Sequence, residues 1–164
     1  MIEISNWVHS PMGGIHFISS LVGLITGAFI LLTKKGTDIH RKTGYVFAIA
    51  LLLVNISALF IYDFNDGHIS VFHYLIPVSL IFLIYGMYPM LIKSRKRNRL
   101  NRHIIGINGA SLGLWAAGAT EYFVRELAFG LNKTQLILYS FLISVPFEIL
   151  ITASITYNLR KINC

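Results

Sequence analysis

Five long, nearly uncharged blocks divide this chain, and they constrain its fold more than any other feature of the sequence. Each has about the length that a helix needs to cross the hydrocarbon core of a bilayer, roughly 20 apolar residues for about 30 Å. Because the blocks are continuously apolar instead of alternating, they favour helices over the strands of a membrane barrel. The sequence therefore predicts an all-α integral membrane bundle, a single domain over residues 1–164, with five transmembrane helices at residues 15–33, 44–62, 71–92, 104–123 and 136–157.

The composition excludes several other classes of protein. Charged residues make up only 13% of the chain and apolar residues 55%, whereas a soluble domain has roughly 25% charged residues. Cys164 is the single cysteine, which excludes an intramolecular disulfide. The segment before the first block contains Glu3 but no lysine or arginine, so the first block is interpreted as a retained helix and not as a cleavable signal peptide.

The basic residues predict an orientation. Twelve of the fourteen lysines and arginines fall in two loops and the C-terminal tail, all on one side of the predicted bundle. By the positive-inside rule this side is cytoplasmic, so we expect the N-terminus outside and a multi-pass protein of the cell membrane. The same loops are expected to attract anionic lipid headgroups. Nucleic acid is not expected as a partner, because the charge lies beside the bilayer and not on a soluble module.

Four of the six histidines stand at the starts of the first four helices, and they are the candidate cofactor ligands. Because successive helices alternate in direction, His16 and His73 are predicted near the outer surface and His40 and His103 near the cytoplasmic one. Two imidazoles from two helices are what a bis-histidine haem requires. The leading hypothesis is therefore a b-type haem protein that carries electrons through the membrane, with a redox partner.

Small residues accompany two of these histidines at helical spacing. One stripe holds His16, Ser20, Gly23 and Gly27, and the other holds His103, Gly106, Ala110, Gly113, Ala117 and Glu121. Such stripes fit the flat face of a haem, but glycines four residues apart are also the common device for close packing of membrane helices. Arg41 and Arg102 flank the inner histidines and place them at headgroup depth, which favours the outer site.

Two other functions compete with haem binding. Glu121 is predicted at the outer end of the fourth helix, where His16, His73 and Glu121 would form a zinc or iron site with an open position. Further ligands are available on that side, namely His9, Asp63, Asp66 and His68. The third hypothesis is an accessory bundle without catalysis. No nucleophile elbow, phosphate loop or HExxH motif is present. The sequence therefore does not identify an enzymatic activity, and whether the chain is an enzyme stays open.

Glu148 stands alone in the middle of the fifth block. An ionisable group at that depth is costly and is a functional candidate for that reason. It is interpreted either as a proton relay or as a structural residue, bonded to Thr152 or to a carbonyl that Pro146 frees.

Two resemblances follow from these residues. The stretch HRKTGYVFAIALLL, together with Asn101, Arg102 and His103 at the start of the fourth helix, resembles a bacterial family of predicted membrane proteins of unknown function, over most of helices one to four. That resemblance implies a multi-helix membrane protein and no particular activity.

More distantly, a histidine at the start of each of four successive helices resembles the two-haem cytochrome b561-type electron carriers. This resemblance implies an outer haem on His16 and His73 and an inner haem on His40 and His103. It also implies basic loops that face an anionic donor such as ascorbate or a quinol-linked partner. Those carriers usually have six helices and this sequence has five, so the geometry is carried over as a hypothesis and the substrate is not.

Overall fold

The computed structural model describes residues 7–62, 69–92 and 96–163, and within these ranges the chain forms helices and no strand. This confirms the all-α prediction. The α-helices are α1 (Pro11–Leu32), α2 (Asp38–Ala58), α3 (Val71–Leu91), α4 (Lys96–Tyr122) and α5 (Lys133–Asn163). A single π-helical turn, Phe123–Leu127, follows α4 directly.

Four of the five helices begin earlier than the predicted apolar blocks, whereas α3 begins at the predicted Val71. Polar residues form the caps of the first two. The Ser10 hydroxyl accepts from the Gly13 amide at the start of α1, and Pro11 occupies the first helical position. The Thr37 hydroxyl accepts from the His40 amide at the start of α2 in the same way. Hydropathy marks the part of a helix that suits lipid, whereas hydrogen bonding sets where the helix starts.

Four helices form a ring and the fifth lies outside it. The broadest contacts are made by α1 with α2, α3 with α4 and α4 with α5, and smaller ones join α1 with α4 and α2 with α3. In this ring α1 lies across from α3, and α2 lies across from α4. The antiparallel packing of sequential helices is what short connections predict.

The centre of the ring is filled by apolar side chains, and Gly23, Gly27 and Gly106 of the predicted small-residue stripes lie in seams between helices. Phe47 is fully buried at the centre, and a Cβ placed on Gly27 would lie 3.1 Å from its ring and 2.7 Å from the Ser111 hydroxyl. A Cβ on Gly106 would overlap the backbone of Gly86 on α3. The glycines allow this close approach, and the apolar cluster around them consists of Ile30, Phe47, Leu51, Val54, Leu83, Ile107, Ala110 and Leu114.

Four of the five long helices in the described residues, α1, α2, α3 and α5, are long and apolar enough to cross a membrane. The exception is α4, which begins with a basic turn and carries the buried polar residues Asn108, Ser111 and Thr120. It contacts α1, α3 and α5, so much of its surface meets protein and needs less hydropathy than a helix that faces lipid. The chain is thus a multi-pass membrane protein, while five crossings and the orientation stay predictions.

Candidate functional site

The alternating helices bring the polar residues together at the two ends of the bundle. We call one the Trp7 end, where α1 and α3 begin and α2 and α4 finish. The other is the Lys35 end, where α2 and α4 begin and α1 and α3 finish. The Trp7 end holds His16, His73 and Glu121, and the Lys35 end holds His40 and His103.

At the Lys35 end the structure joins the two predicted inner histidines. The ring centres of His40 and His103 lie 6.4 Å apart, and the ring planes are nearly perpendicular at 82°. These residues come from α2 and α4, which lie across the ring of helices from each other. The prediction that helix starts on one side bring these two imidazoles together is therefore met in the geometry.

Hydrogen bonding fixes the ring of His103. Its Nδ1 donates to the Gly86 carbonyl oxygen at 2.9 Å, and a carbonyl oxygen can only accept. In the neutral imidazole the Nε2 atom therefore keeps its lone pair. The Nδ1 atom of His40 is buried and has no hydrogen-bond partner among the described residues. A buried polar atom without a partner is rare and calls for an explanation.

Basic residues surround this histidine pair. The Lys35 ammonium donates to the carbonyl oxygens of Ile30 and Leu31, 2.6 Å away in each case, and so closes the end of α1. Its positive charge opposes a positive charge on either imidazole. Partial burial lowers the pKa of Lys35 itself, because the charged form loses hydration. The Nε atoms of Arg99 and Arg102 are buried without a hydrogen-bond partner in the described part of the chain.

At the Trp7 end, His16 is held between α2 and α4. Its Nδ1 lies 3.2 Å from the Val54 carbonyl and 3.1 Å from the Ser57 hydroxyl oxygen. Because the Ser57 hydroxyl donates to the Leu53 carbonyl at 2.7 Å, the Nδ1 of His16 is the donor in this group. Its Nε2 then faces the Glu121 carboxylate, with 3.7 Å between Nε2 and Oε2.

A chain of charged and aromatic contacts continues from Glu121. The Arg125 Nε donates to the other oxygen of that carboxylate at 3.0 Å, and the guanidinium lies over the Trp7 ring, 5.3 Å from its centre. The Trp7 indole in turn donates to Glu126 at 2.7 Å. The π-helical turn carries both Arg125 and Glu126. A small cavity beside this network is lined in part by Trp7, His16, Phe17, Ile61, Glu121 and Arg125.

His73 does not join His16 in this network. Its Nδ1 accepts from the Ser70 amide at 3.2 Å and so completes the cap of α3, while its ring stacks on Tyr62 with 4.9 Å between centres. Because Nδ1 accepts, the proton of the neutral ring sits on Nε2, which is not the form that binds a metal through that atom. No ring contact or hydrogen bond links His73 to His16, both of which lie in the described residues.

The predicted zinc or iron site is brought together only in part. His16 and Glu121 meet, His73 lies elsewhere, and Arg125 already bonds the shared carboxylate. Over residues 7–62, 69–92 and 96–163 no group of three histidine, cysteine, aspartate or glutamate side chains is placed to hold a metal ion. His9 is exposed, and Asp63, Asp66 and His68 lie outside the described residues. The metal site therefore stays a prediction.

Sequence reasoning missed the residues that complete the Trp7 end. Arg125 follows Glu121 by four residues, the spacing of a helical ion pair, and this signal was available. Trp7 lies before the first helix and carries no such signal. Ser57 and Val54 could not be identified either, because their contact with His16 depends on how α1 and α2 are rotated about their axes.

Comparisons with known proteins bear on most of the chain. A family model described as a predicted membrane protein, DUF2306, matches residues 13–151. This range includes all four helix-start histidines and Glu121. No curated protein and no solved structure matches the chain.

Proposed function

The chain belongs to the DUF2306 family of predicted membrane proteins. We propose that it is a b-type haem protein that passes electrons within the membrane. The proposal places one haem at the Lys35 end, between His40 and His103. The observation that carries it is the 6.4 Å separation of these two imidazole rings.

This separation suits two ligands of one metal centre. A bond from a transition metal to an imidazole nitrogen is about 2 Å long, and the ring centre lies roughly 1 Å behind that nitrogen. Two imidazoles such as those of His40 and His103 would therefore have their centres about 6 Å apart if both held one metal ion. Perpendicular planes, as found for His40 and His103, are compatible with this geometry.

The number of ligands favours haem over a bare ion. A zinc site needs three or four protein ligands, whereas haem iron needs only axial ones, because the porphyrin supplies the other four nitrogens. The described residues offer no group of three suitable side chains. Two histidine ligands, His40 and His103, therefore favour haem iron over a bare zinc or iron ion.

The surrounding residues fit the same group. The Gly86 carbonyl orients His103 in the way that a neighbouring acceptor orients most metal-bound histidines. Arg99 and Arg102 stand about one helical turn or less from His103, and the buried Nε of each has no hydrogen-bond partner among the described residues. The Arg102 guanidinium also lies over the Tyr85 ring, 4.7 Å from its centre. The carboxylates of a porphyrin are acceptors of the kind that these guanidinium groups take.

A bound haem would supply the one-electron chemistry, and the chain would supply ligands, orientation and burial. In the proposed orientation the Lys35 end faces the cytoplasm, where a redox partner would exchange electrons with the site. The basic loops at this end would rest on anionic headgroups of the bilayer. The two-haem arrangement implied by the resemblance to b561-type carriers is not part of the proposal, because His16 and His73 contact different neighbours and do not meet.

Absorption spectroscopy of detergent-purified protein from haem-replete cells tests the proposal. We expect a Soret band and sharp α and β bands after reduction with dithionite. His40→Ala and His103→Ala should each remove most of the haem, while His16→Ala and His73→Ala keep it. His103→Met is a second variant that should retain haem with a shifted reduced spectrum. Colourless wild-type protein, or equal losses from all four alanine variants that still elute as folded protein, would overturn the assignment.

A zinc or iron ion at the Trp7 end is the second candidate, and the observation in its favour is that His16 and Glu121 meet. Elemental analysis separates the two candidates. Stoichiometric metal without a porphyrin spectrum, lost in Glu121→Gln and retained in His103→Ala, would favour the second.

A further inference from the structure

A row of polar side chains runs along the exposed surface of α5. Glu148, Thr152, Thr156 and Arg160 follow one another at intervals of four residues, so they lie on one face of the helix. All four are exposed, and they line a shallow groove together with Val145, Ile149 and Ala153. None of these four residues belongs to the His16–Glu121 network or to the His40–His103 pair described above.

Glu148, the first residue of this row, lies at a depth in the predicted span where polar groups are costly. With a rise of about 1.5 Å per residue, Glu148 is about 18 Å from one end of the predicted span 136–157 and about 14 Å from the other. The exposed neighbours Leu142, Ile149 and Leu150 are apolar, as expected of a surface that faces lipid. A carboxyl group exposed among them indicates a partner that can hydrogen-bond to it.

The opposite face of α5 is the one that packs onto the rest of the chain. The Ser154 hydroxyl donates to the Asn108 side chain of α4, and the Asn158 amide donates to the Ser154 carbonyl at 2.7 Å. The contacts of α5 in the described residues are made mainly with α4 and to a smaller extent with the π-helical turn. The row of polar side chains therefore points away from the molecule.

Local hydrogen bonds do not satisfy Glu148. The Thr152 hydroxyl donates to the main-chain carbonyl of Glu148 at 3.0 Å and not to its carboxyl group. The Ser144 hydroxyl donates to the Phe141 carbonyl at 2.8 Å and lies 3.5 Å from the Glu148 carboxyl oxygen. The carboxyl group thus keeps most of its capacity for hydrogen bonds, and the Thr152 oxygen keeps free lone pairs.

We propose that this face of α5 binds α5 of a second copy of the chain, in a parallel dimer within the membrane. Copies of one membrane protein share an orientation. A two-fold axis along the membrane normal therefore places each residue of α5 at the same depth as the same residue of the other copy. Hydroxyl groups both donate and accept, which lets Thr152 and Thr156 pair with the same residues of the other copy. The Glu148 carboxyl groups of the two copies lie at the same depth and can hydrogen-bond to each other, and Ala153 lets the helices approach closely.

The charge at the lower end of the row agrees with this arrangement. Arg160 lies about 18 Å along the helix from Glu148, close to the predicted end of the span. Two arginines at that depth reach the headgroup region, where phosphate and water screen their repulsion. Only the pairs of hydrogen-bonding side chains, from Glu148, Thr152 and Thr156, then remain within the hydrocarbon core.

Cysteine cross-linking in native membranes tests the dimer. Because Cys164 is the only cysteine, Cys164→Ser gives a background without thiols. Thr152→Cys in this background should form a disulfide-linked dimer on mild oxidation. Leu150→Cys is the matched control, since Leu150 is also exposed but lies roughly 200° away around the helix, and it should remain monomeric.

Substitutions at Glu148 supply a second measurement, the dimer dissociation constant in nanodiscs or detergent. Glu148→Gln keeps a side chain that hydrogen-bonds to its own kind and should dimerise nearly as well as the wild type. Glu148→Leu should weaken the dimer about three- to tenfold, the range expected for hydrogen bonds between membrane helices.

Three results would overturn the proposal. They are equal cross-linking of Thr152→Cys and Leu150→Cys, a monomer in single-molecule subunit counting, and protection of Thr152→Cys from labelling without a self-cross-link. The last result would assign the row to a different protein.

Discussion

The imidazole of His16 and the carboxylate of Glu121 face each other across α1 and α4, with 3.7 Å between Nε2 and Oε2. The Nδ1 of His16 donates towards the Val54 carbonyl on α2, which turns its Nε2 towards the Glu121 carboxylate. Arg125 lies on the other oxygen of the same carboxylate. The Glu121 carboxylate thus lies partly buried between a histidine of α1 and an arginine of the π-helical turn, and it links these two segments to α4.

Glu121→Gln should lower the free energy of unfolding by about 1–3 kcal/mol, because the Arg125 guanidinium, which is largely buried, loses the negative charge that it pairs with. Glu126→Gln is the control, because its amide oxygen can still accept from the Trp7 indole. Thermal unfolding in detergent measures both variants. Similar losses for the two would show that Glu121 contributes no more than an ordinary acceptor.

Gly106→Ala should separate α3 from α4, because its Cβ would overlap the backbone of Gly86 and approach the Phe82 carbonyl. The cost of such overpacking is about 1–3 kcal/mol, and the His103 bond to Gly86 should break with it. Gly113→Ala lies on the same helix with nothing within 4 Å of its Cβ, so it should be neutral or slightly stabilising. Unfolding midpoints give the comparison, and a stable Gly106→Ala would contradict the close seam.

Trp7→Phe should loosen the segment before α1. Phenylalanine keeps contact with the ring of Phe17, now 5.6 Å away, but it loses the hydrogen bond to Glu126 and weakens the contact with Arg125. We expect a loss of about 1 kcal/mol and faster proteolysis ahead of Pro11. Trp115→Phe, at an exposed position on α4, should change neither quantity, and equal sensitivity of both variants would argue against this role.

Ser154→Ala should weaken the attachment of α5 to α4 by about 1 kcal/mol, in the range of hydrogen bonds between membrane helices. The variant leaves the buried oxygen of Asn108 without its donor. Ser144→Ala is the control, because the Ser144 hydroxyl donates within its own helix. Unfolding in mixed micelles measures the difference, and an unchanged Ser154→Ala would mean that apolar packing alone holds α5 in place.

Hydropathy predicted the helices because lipid selects apolar side chains over the whole length of a crossing. It predicted their ends less well, since α2 begins at Asp38 behind the Thr37 cap and stops at Ala58. It also missed that α4 would fall below the other helices in apolar character, which follows from the protein surfaces around it. These are effects of hydrogen bonding and packing that a window of hydropathy does not register.

The sequence placed the histidines at the correct ends of the helices but could not fix the direction of their rings. His40 and His103 meet, as predicted, whereas His16 turns to Glu121 and His73 turns to Ser70 and Tyr62. The rotation of each helix about its axis decides between these outcomes. Seams such as the one at Gly86 and Gly106 set that rotation, and they form between residues distant in sequence.

The uneven distribution of contacts divides the ring into two halves. The helices α1 and α2 adhere broadly to each other, as do α3 and α4, while α2 meets α3 over a small area. The contacts within each half are broader than those that join the halves, which are α1 with α4 and α2 with α3. Two polypeptides broken between α2 and α3 and produced together should therefore reassemble, which makes this molecule suitable for split-reporter designs.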